Sequence, residues 1–141
     1  MDFRKLFFGG IIGGIVNFLL GWLVYGILLM EIMRKHSTHR PSVFRTEEEM
    51  IWWSLILGNI AIGFMIAYVI LKANIKTAGA GAVTGFVLGM LTSLGIDCIM
   101  YAQMKVFGRA VIAMDVVAAA IITAIVGAIL GWYFGRGEKA T

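Results

Sequence analysis

Four stretches of this chain, Leu6–Met30, Met50–Leu71, Thr77–Met104 and Ala110–Gly135, carry at most one charged side chain apiece. Each is longer than the roughly 20 residues a helix needs to cross a hydrocarbon core of about 30 Å. Charges gather between the stretches, at Arg4–Lys5, Glu31–Glu49, Lys72–Lys76, Lys105–Arg109 and Arg136–Lys139. A water-soluble fold of 141 residues, 60% of them hydrophobic and 14% charged, could not bury so much apolar surface. The expected architecture is therefore all-α: a polytopic membrane protein forming one four-transmembrane-helix bundle over residues 1–141, with spans at about 6–30, 50–71, 77–104 and 110–135. Although Arg4 and Lys5 precede the first run as in a signal peptide, that run is about twice the length of a secretory core. No small-residue cleavage site follows it either, so it is expected to be a retained helix.

Small residues recur every fourth position in the third span: Thr77, Gly81, Gly85, Gly89, Ser93, and then Asp97. The fourth span carries the inverse order: Asp115, Ala119, Thr123, Gly127, Gly131, Gly135. Residues i and i+4 lie nearly above one another on an α-helix, so each series forms one drifting stripe. Were the two spans antiparallel neighbours, glycine would meet glycine and aspartate would meet aspartate. Lipid supplies no hydrophobic drive for helix association, and small residues let backbones approach closely enough for dispersion to replace it. Gly9, Gly13 and Gly21 of the first span, with Asn17 between them and Tyr25 beyond, form a third stripe, widened by Gly10 and Gly14. These glycines are read as packing faces of a glycine zipper, and the last two spans as the tightest hairpin.

Four polar groups lie within the apolar runs at depths that call for a partner. Asp97 stands eight residues before Lys105 and Asp115 six after Arg109, which places both on the order of 10 Å inside the same face of the bilayer. A carboxylate there should face protein, find a partner or hold a proton. One reading makes the two acids a proton or cation site with Tyr101, one turn from Asp97, as the hydroxyl partner. The other has each acid reach interfacial water or pair with Lys105 or Arg109. Asn17 and Asn59 are expected to form interhelical hydrogen bonds, because an amide in hydrocarbon needs a partner. Trp22 and Tyr25 are read as bulk filling, and Cys98, which has no second cysteine to pair with, as a small packing residue.

The connectors are too short to form a domain. Glu31, His36 and His39 lack the ligand spacing of a zinc site, so no metal or other cofactor is expected. Thr46 and Glu49 fit a capping box for the second span, with Trp52 and Trp53 as interfacial anchors. The short Asn74–Lys76 connector suggests that the second and third spans pack as an antiparallel pair, and Gly108 suggests a tight reversal before the fourth. Lys and Arg divide six against six between the two faces, so the positive-inside rule leaves orientation undecided. A glycine-striped helix followed by one with an aromatic–basic end occurs twice, which hints at an internal repeat.

The segments Val16-Asn17-Phe18, Gly21-Trp22-Leu23-Val24-Tyr25-Gly26, Ala67-Tyr68-Val69 and Gly85-Phe86-Val87-Leu88-Gly89-Met90 resemble an uncharacterised family of small bacterial four-helix membrane proteins, catalogued as a domain of unknown function. The resemblance departs after the first helix, where Met30-Glu31-Ile32-Met33 replaces a usual tryptophan. It implies the four-helix fold and a bacterial cytoplasmic membrane, and no activity. The small multidrug transporters are not similar, since their first-helix glutamate has no counterpart within Leu6–Met30.

Two functional expectations follow. One is a transporter or channel component for protons, cations or a small solute, built on Asp97, Asp115, Tyr101, Asn17 and Asn59. The other is a structural or accessory subunit that docks on a partner through its glycine stripes. An enzyme is not expected, because no nucleophile–base pair or metal motif has recognisable spacing. The expected partners are the lipid bilayer and a second copy or another membrane protein. A formal charge of +4, with no basic domain to carry it, does not point to nucleic acid.

Overall fold

The computed structural model describes residues 1–36 and 45–136. They form α1 (Phe3–Leu23), a π-helical segment (Val24–Leu28), α2 (Met30–His36), α3 (Trp52–Lys72), α4 (Ala78–Gln103) and α5 (Arg109–Arg136). The fold is all-α, and four helices are long and apolar enough to cross a membrane: α1 with its π-helical extension, α3, α4 and α5. We call the end of the bundle bearing the start of α1, the end of α5 and the α3–α4 connector the terminal face, and the opposite one the loop face.

The spans pair as two antiparallel hairpins, α1 with α3 and α4 with α5. α5 also touches α1 and α3 and so joins the pairs, whereas α3 and α4 meet only slightly despite their short connector. The expected pairing of the second and third spans is thus corrected, and the reason lies in where the small residues point. A Cβ on Gly63 of α3 would strike the Gly14 nitrogen and the Gly10 carbonyl oxygen of α1. One on Gly81 of α4 would strike the Gly127 carbonyl oxygen of α5, and one on Gly85 the Thr123 carbonyl oxygen. Gly131 and Gly135 approach the Thr77 and Lys76 carbonyls in the same way. Each step of four up α4 is matched by a step of four down α5. The third and fourth spans accordingly share the longest and closest interface.

The apolar core lies toward the terminal face, where Ile66, Ala67 and Ile70 of α3 meet Val126, Leu130 and Phe134 of α5. Gly9 and Gly13 of α1 lie against the Phe134 ring and the Leu130 side chain. Gly21 makes no such approach; a Cβ there would meet only Asn59 Oδ1, at 4.0 Å. Gly58, Gly79 and Gly95 face open space.

Helix ends explain much of the local chain path. Asp2 caps α1, its carboxylate accepting from the Arg4 and Lys5 backbone N–H groups. Thr77 caps α4 by accepting from the Ala80 N–H. α3 closes with Asn74 at a φ of 54°, while the Ile75 N–H donates to the Ile70 carbonyl and the Asn74 N–H to the Leu71 carbonyl. This is a Schellman arrangement, with asparagine in the left-handed position and Ile75 packed on the core beside Ile70.

Two expected caps act differently. The Glu49 carboxylate does reach back to the Thr46 N–H, but the turn there does not continue into the helix, which begins at Trp52. Gly108 adopts no left-handed turn; its carbonyl accepts the first N–H groups of α5, from Val111 and Ile112. Cys98 is exposed and so does not pack inside the bundle. Trp52 and Trp53 stand exposed at the loop-face end of α3, as anchors would.

Two substitution sets probe this framework by thermal unfolding in detergent. Asn74→Val should destabilise by about 1–2 kcal/mol, since a β-branched residue resists the left-handed region, whereas Asn74→Gly should be nearly neutral. Gly81→Ala should cost roughly 1–3 kcal/mol or more by forcing α4 and α5 apart. Gly95→Ala should instead be neutral or stabilise by up to about 1 kcal/mol, through helix propensity alone.

Candidate functional site

Near the loop face the α4–α5 seam changes from glycine to polar side chains. Ser93, one turn beyond Gly89, is the last buried small residue of the α4 stripe. Its Oγ lies 2.6 Å from Asp115 Oδ2 and 3.1 Å from Asp97 Oδ2. The close backbone approach below this point sets the spacing: with α4 and α5 held at glycine distance, Ser93 of one helix meets Asp115 of the other directly. Asp97 is one turn from Ser93 on the same face of α4, so all three oxygen-bearing groups converge. Both acids are half-buried.

Hydrogen-bond stoichiometry makes this cluster informative. A serine hydroxyl carries one proton and can donate it to only one acceptor at a time. Two carboxylates around one hydroxyl therefore leave one contact without a proton. Both contacts become hydrogen bonds when one carboxyl is protonated and donates to Ser93 Oγ while Ser93 donates to the other. In that arrangement the cluster bears a single negative charge and one exchangeable carboxyl proton.

Tyr25 approaches from the other hairpin. It sits in the π-helical segment, and its hydroxyl donates to the Asp115 backbone carbonyl at 3.4 Å. π-Helical turns are uncommon inside α-helices and occur often at functional sites. Sequence alone gives Tyr25 a bulk-filling role, yet its position carries a legible signal: it extends the Gly9–Gly13–Asn17–Gly21 stripe by one more step of four, onto the face that meets α5.

Tyr101 does not join the site. Its side chain is 46% exposed, and the hydroxyl that meets Asp97 belongs to Ser93. The i+4 spacing placed Tyr101 on the correct side of α4 to approach Asp97, but the helix there is close to its end and the ring turns outward.

Asn17 and Asn59 find each other instead of the acids. Asn17 Nδ2 donates to Asn59 Oδ1 at 2.7 Å, and Asn59 Nδ2 donates to the Leu55 carbonyl at 2.8 Å. Counted along the helices, Asn17 and Ser93 stand at similar depth in α1 and α4, as do Asn59 and Asp115 in α3 and α5. Each hairpin thus has a polar pair at the same level, one of neutral amides and one built on acids.

No metal site accompanies these groups: among the described residues no three His, Cys, Asp or Glu side chains cluster. His36 Nδ1 lies 2.8 Å from the Ile32 carbonyl within its own helix, and His39 falls outside the described residues.

The amide pair should behave as a structural bond. Asn17→Leu and Asn59→Leu should each destabilise by about 0.6–2 kcal/mol, and a double-mutant cycle read by thermal unfolding should show strong coupling between them. Additive losses would mean that the two amides act separately.

No protein-family model, curated protein or solved structure matches this chain.

Proposed function

We propose that this protein moves protons across a membrane through a centre formed by Ser93, Asp97 and Asp115, with Tyr25 covering it from α1. The observation that carries this reading is the Ser93 hydroxyl placed between two carboxylates at 2.6 and 3.1 Å, within two membrane-spanning helices. Such a group can act as a relay. One carboxyl passes its proton to Ser93 Oγ as Ser93 passes its own to the other carboxylate, so the charge of the cluster does not change. Intramembrane acids that face protein and share a hydroxyl fit a proton pathway better than a packing contact, because packing alone does not require two ionisable groups at a costly depth.

Between the acids and the terminal face, α4 and α5 are in backbone contact from Gly81 to Gly89, and the core fills the space beside them. In this reading the conformation is closed toward the terminal face and exchanges protons toward the loop face, and passage requires the glycine seam to part. The family resemblance adds the bacterial cytoplasmic membrane as the proposed location.

A second reading rests on the outer face of α4. α4 packs closely on α5 and little elsewhere, which leaves Gly79, Val83, Val87, Leu91 and Gly95 exposed in one stripe at four-residue spacing. Apart from Gly21, the glycines of the inner stripes are engaged within the chain, so a second copy or another membrane protein would dock here rather than on the stripes the sequence suggested. Docking of this kind is compatible with proton movement.

Reconstitution into liposomes with an internal pH dye and an imposed potassium diffusion potential tests the main reading. Wild-type protein should acidify the lumen faster than empty liposomes. Asp97→Asn and Asp115→Asn should return the rate to background, Ser93→Ala should lower it, and Asn17→Leu should leave most of it. A wild-type rate equal to that of empty liposomes, or an unimpaired Asp115→Asn, would overturn the proposal. Flux that requires sodium and ignores the pH gradient would assign the same oxygens to a cation instead.

A further inference from the structure

The equal lysine and arginine count conceals a difference between the two faces. Among the described residues, Arg4, Lys5, Lys72, Lys76 and Arg136 at the terminal face stand against Asp2. At the loop face Arg34, Lys35, Arg45, Lys105 and Arg109 stand against Glu31, Glu47, Glu48 and Glu49. Five described cations therefore meet one acid on one side and four on the other.

The more basic face also holds two clefts. One of about 340 Å³ is lined by Lys5, Tyr133, Phe134 and Arg136. A smaller one shares Lys5 and Phe134 and adds Lys76 and Asn74 over an apolar wall of Ile70, Leu71 and Ile75. Three cations thus come from three elements: α1, the α3–α4 connector and α5. Among the described residues no acid lines either cleft. Asp2, three residues before Lys5, faces the Arg4 and Lys5 backbone as the α1 cap. The Arg136 guanidinium lies over the Trp132 ring, 4.4 Å from its centroid, which holds the charge at the membrane boundary.

We propose that this cleft binds the phosphate of an anionic phospholipid headgroup. Lys5 and Arg136 hold the phosphate, Tyr133 offers a hydroxyl, and the partly exposed Leu71 and Ile75 meet the glycerol and first methylenes, with Phe134 and Ile70 buried behind them. Basic pockets between helices at a membrane face suit such headgroups. A lipid fits better than a soluble anion because the cleft lies where the helices leave the hydrocarbon and one wall is apolar. The proposal is independent of the proton centre, which lies near the opposite face. It also sets the terminal face toward the leaflet richer in anionic lipid.

Native mass spectrometry of the full chain, titrated with phosphatidylglycerol or phosphatidylcholine, reads the preference directly. Wild type should retain phosphatidylglycerol over phosphatidylcholine by about tenfold. A Lys5→Gln/Arg136→Gln double variant should lose that preference, and an Arg34→Gln/Lys35→Gln double variant on the loop face should keep it. Millimolar inorganic phosphate should not displace the lipid. Absence of a preference in wild type, equal loss in both double variants, or displacement by phosphate would each overturn the proposal. If the first double variant does not fold, a chain retaining Trp132 but with Trp22, Trp52 and Trp53 changed to Phe decides the matter in vesicles. Brominated phosphatidylglycerol should quench its fluorescence more than brominated phosphatidylcholine at equal density, and equal quenching would overturn the proposal.

Discussion

Contact between two helix backbones holds this structure together. Where Gly81 and Gly85 of α4 meet Gly127 and Thr123 of α5, no side chain separates the main chains. In a bilayer, apolar side chains gain little by leaving lipid for protein, so association depends on dispersion at short range. That requirement explains why the seam admits only small residues. It also explains how Ser93 comes within 2.6 Å of a carboxylate on the neighbouring helix. A wider seam would hold the same residues at the same heights without letting them touch.

The same rule governs the first hairpin with different consequences. Gly10, Gly14 and Gly63 bring α1 and α3 together, and the polar groups above them are two amides joined by one hydrogen bond, from Asn17 Nδ2 to Asn59 Oδ1. A neutral amide pair has no acidic proton to exchange. Two acids around one hydroxyl leave a proton to be shared, and a shared proton can be exchanged with the surroundings. The hairpins are thus alike in packing and differ in the chemistry of the polar level. The π-helical segment of the first hairpin brings Tyr25 across to the second, which joins the two levels at Asp115.

Much of this was legible in the residues because membrane packing leaves clear marks. The stripes from Gly81 to Asp97 and from Asp115 to Gly135 indicated both the pairing and its antiparallel sense, since only that sense sets glycine against glycine and acid against acid. The partners of the acids were less legible. Tyr101 and Ser93 are both one turn from Asp97, and spacing alone cannot tell which hydroxyl turns inward. The chain ends of the helices misled for a related reason. Thr46 and Glu49 make part of their expected bond, yet the helix starts at Trp52, because a local bond can close a turn without propagating it.

Length and apolarity by themselves determined that four segments are long and apolar enough to cross a membrane, since each exceeds the roughly 20 residues that a hydrocarbon core requires. Four-residue periodicity likewise determined which faces are small, because helical geometry carries sequence spacing directly into space. Only the tertiary structure decided that α3 turns from α4 to α1, that Asn17 bonds Asn59 and not an acid, and that Tyr25 joins the polar centre while Tyr101 does not. These depend on which of several compatible faces meet, and on the rotation of each helix about its own axis. That rotation is set by all the contacts of the bundle together, and no single stretch of sequence encodes it.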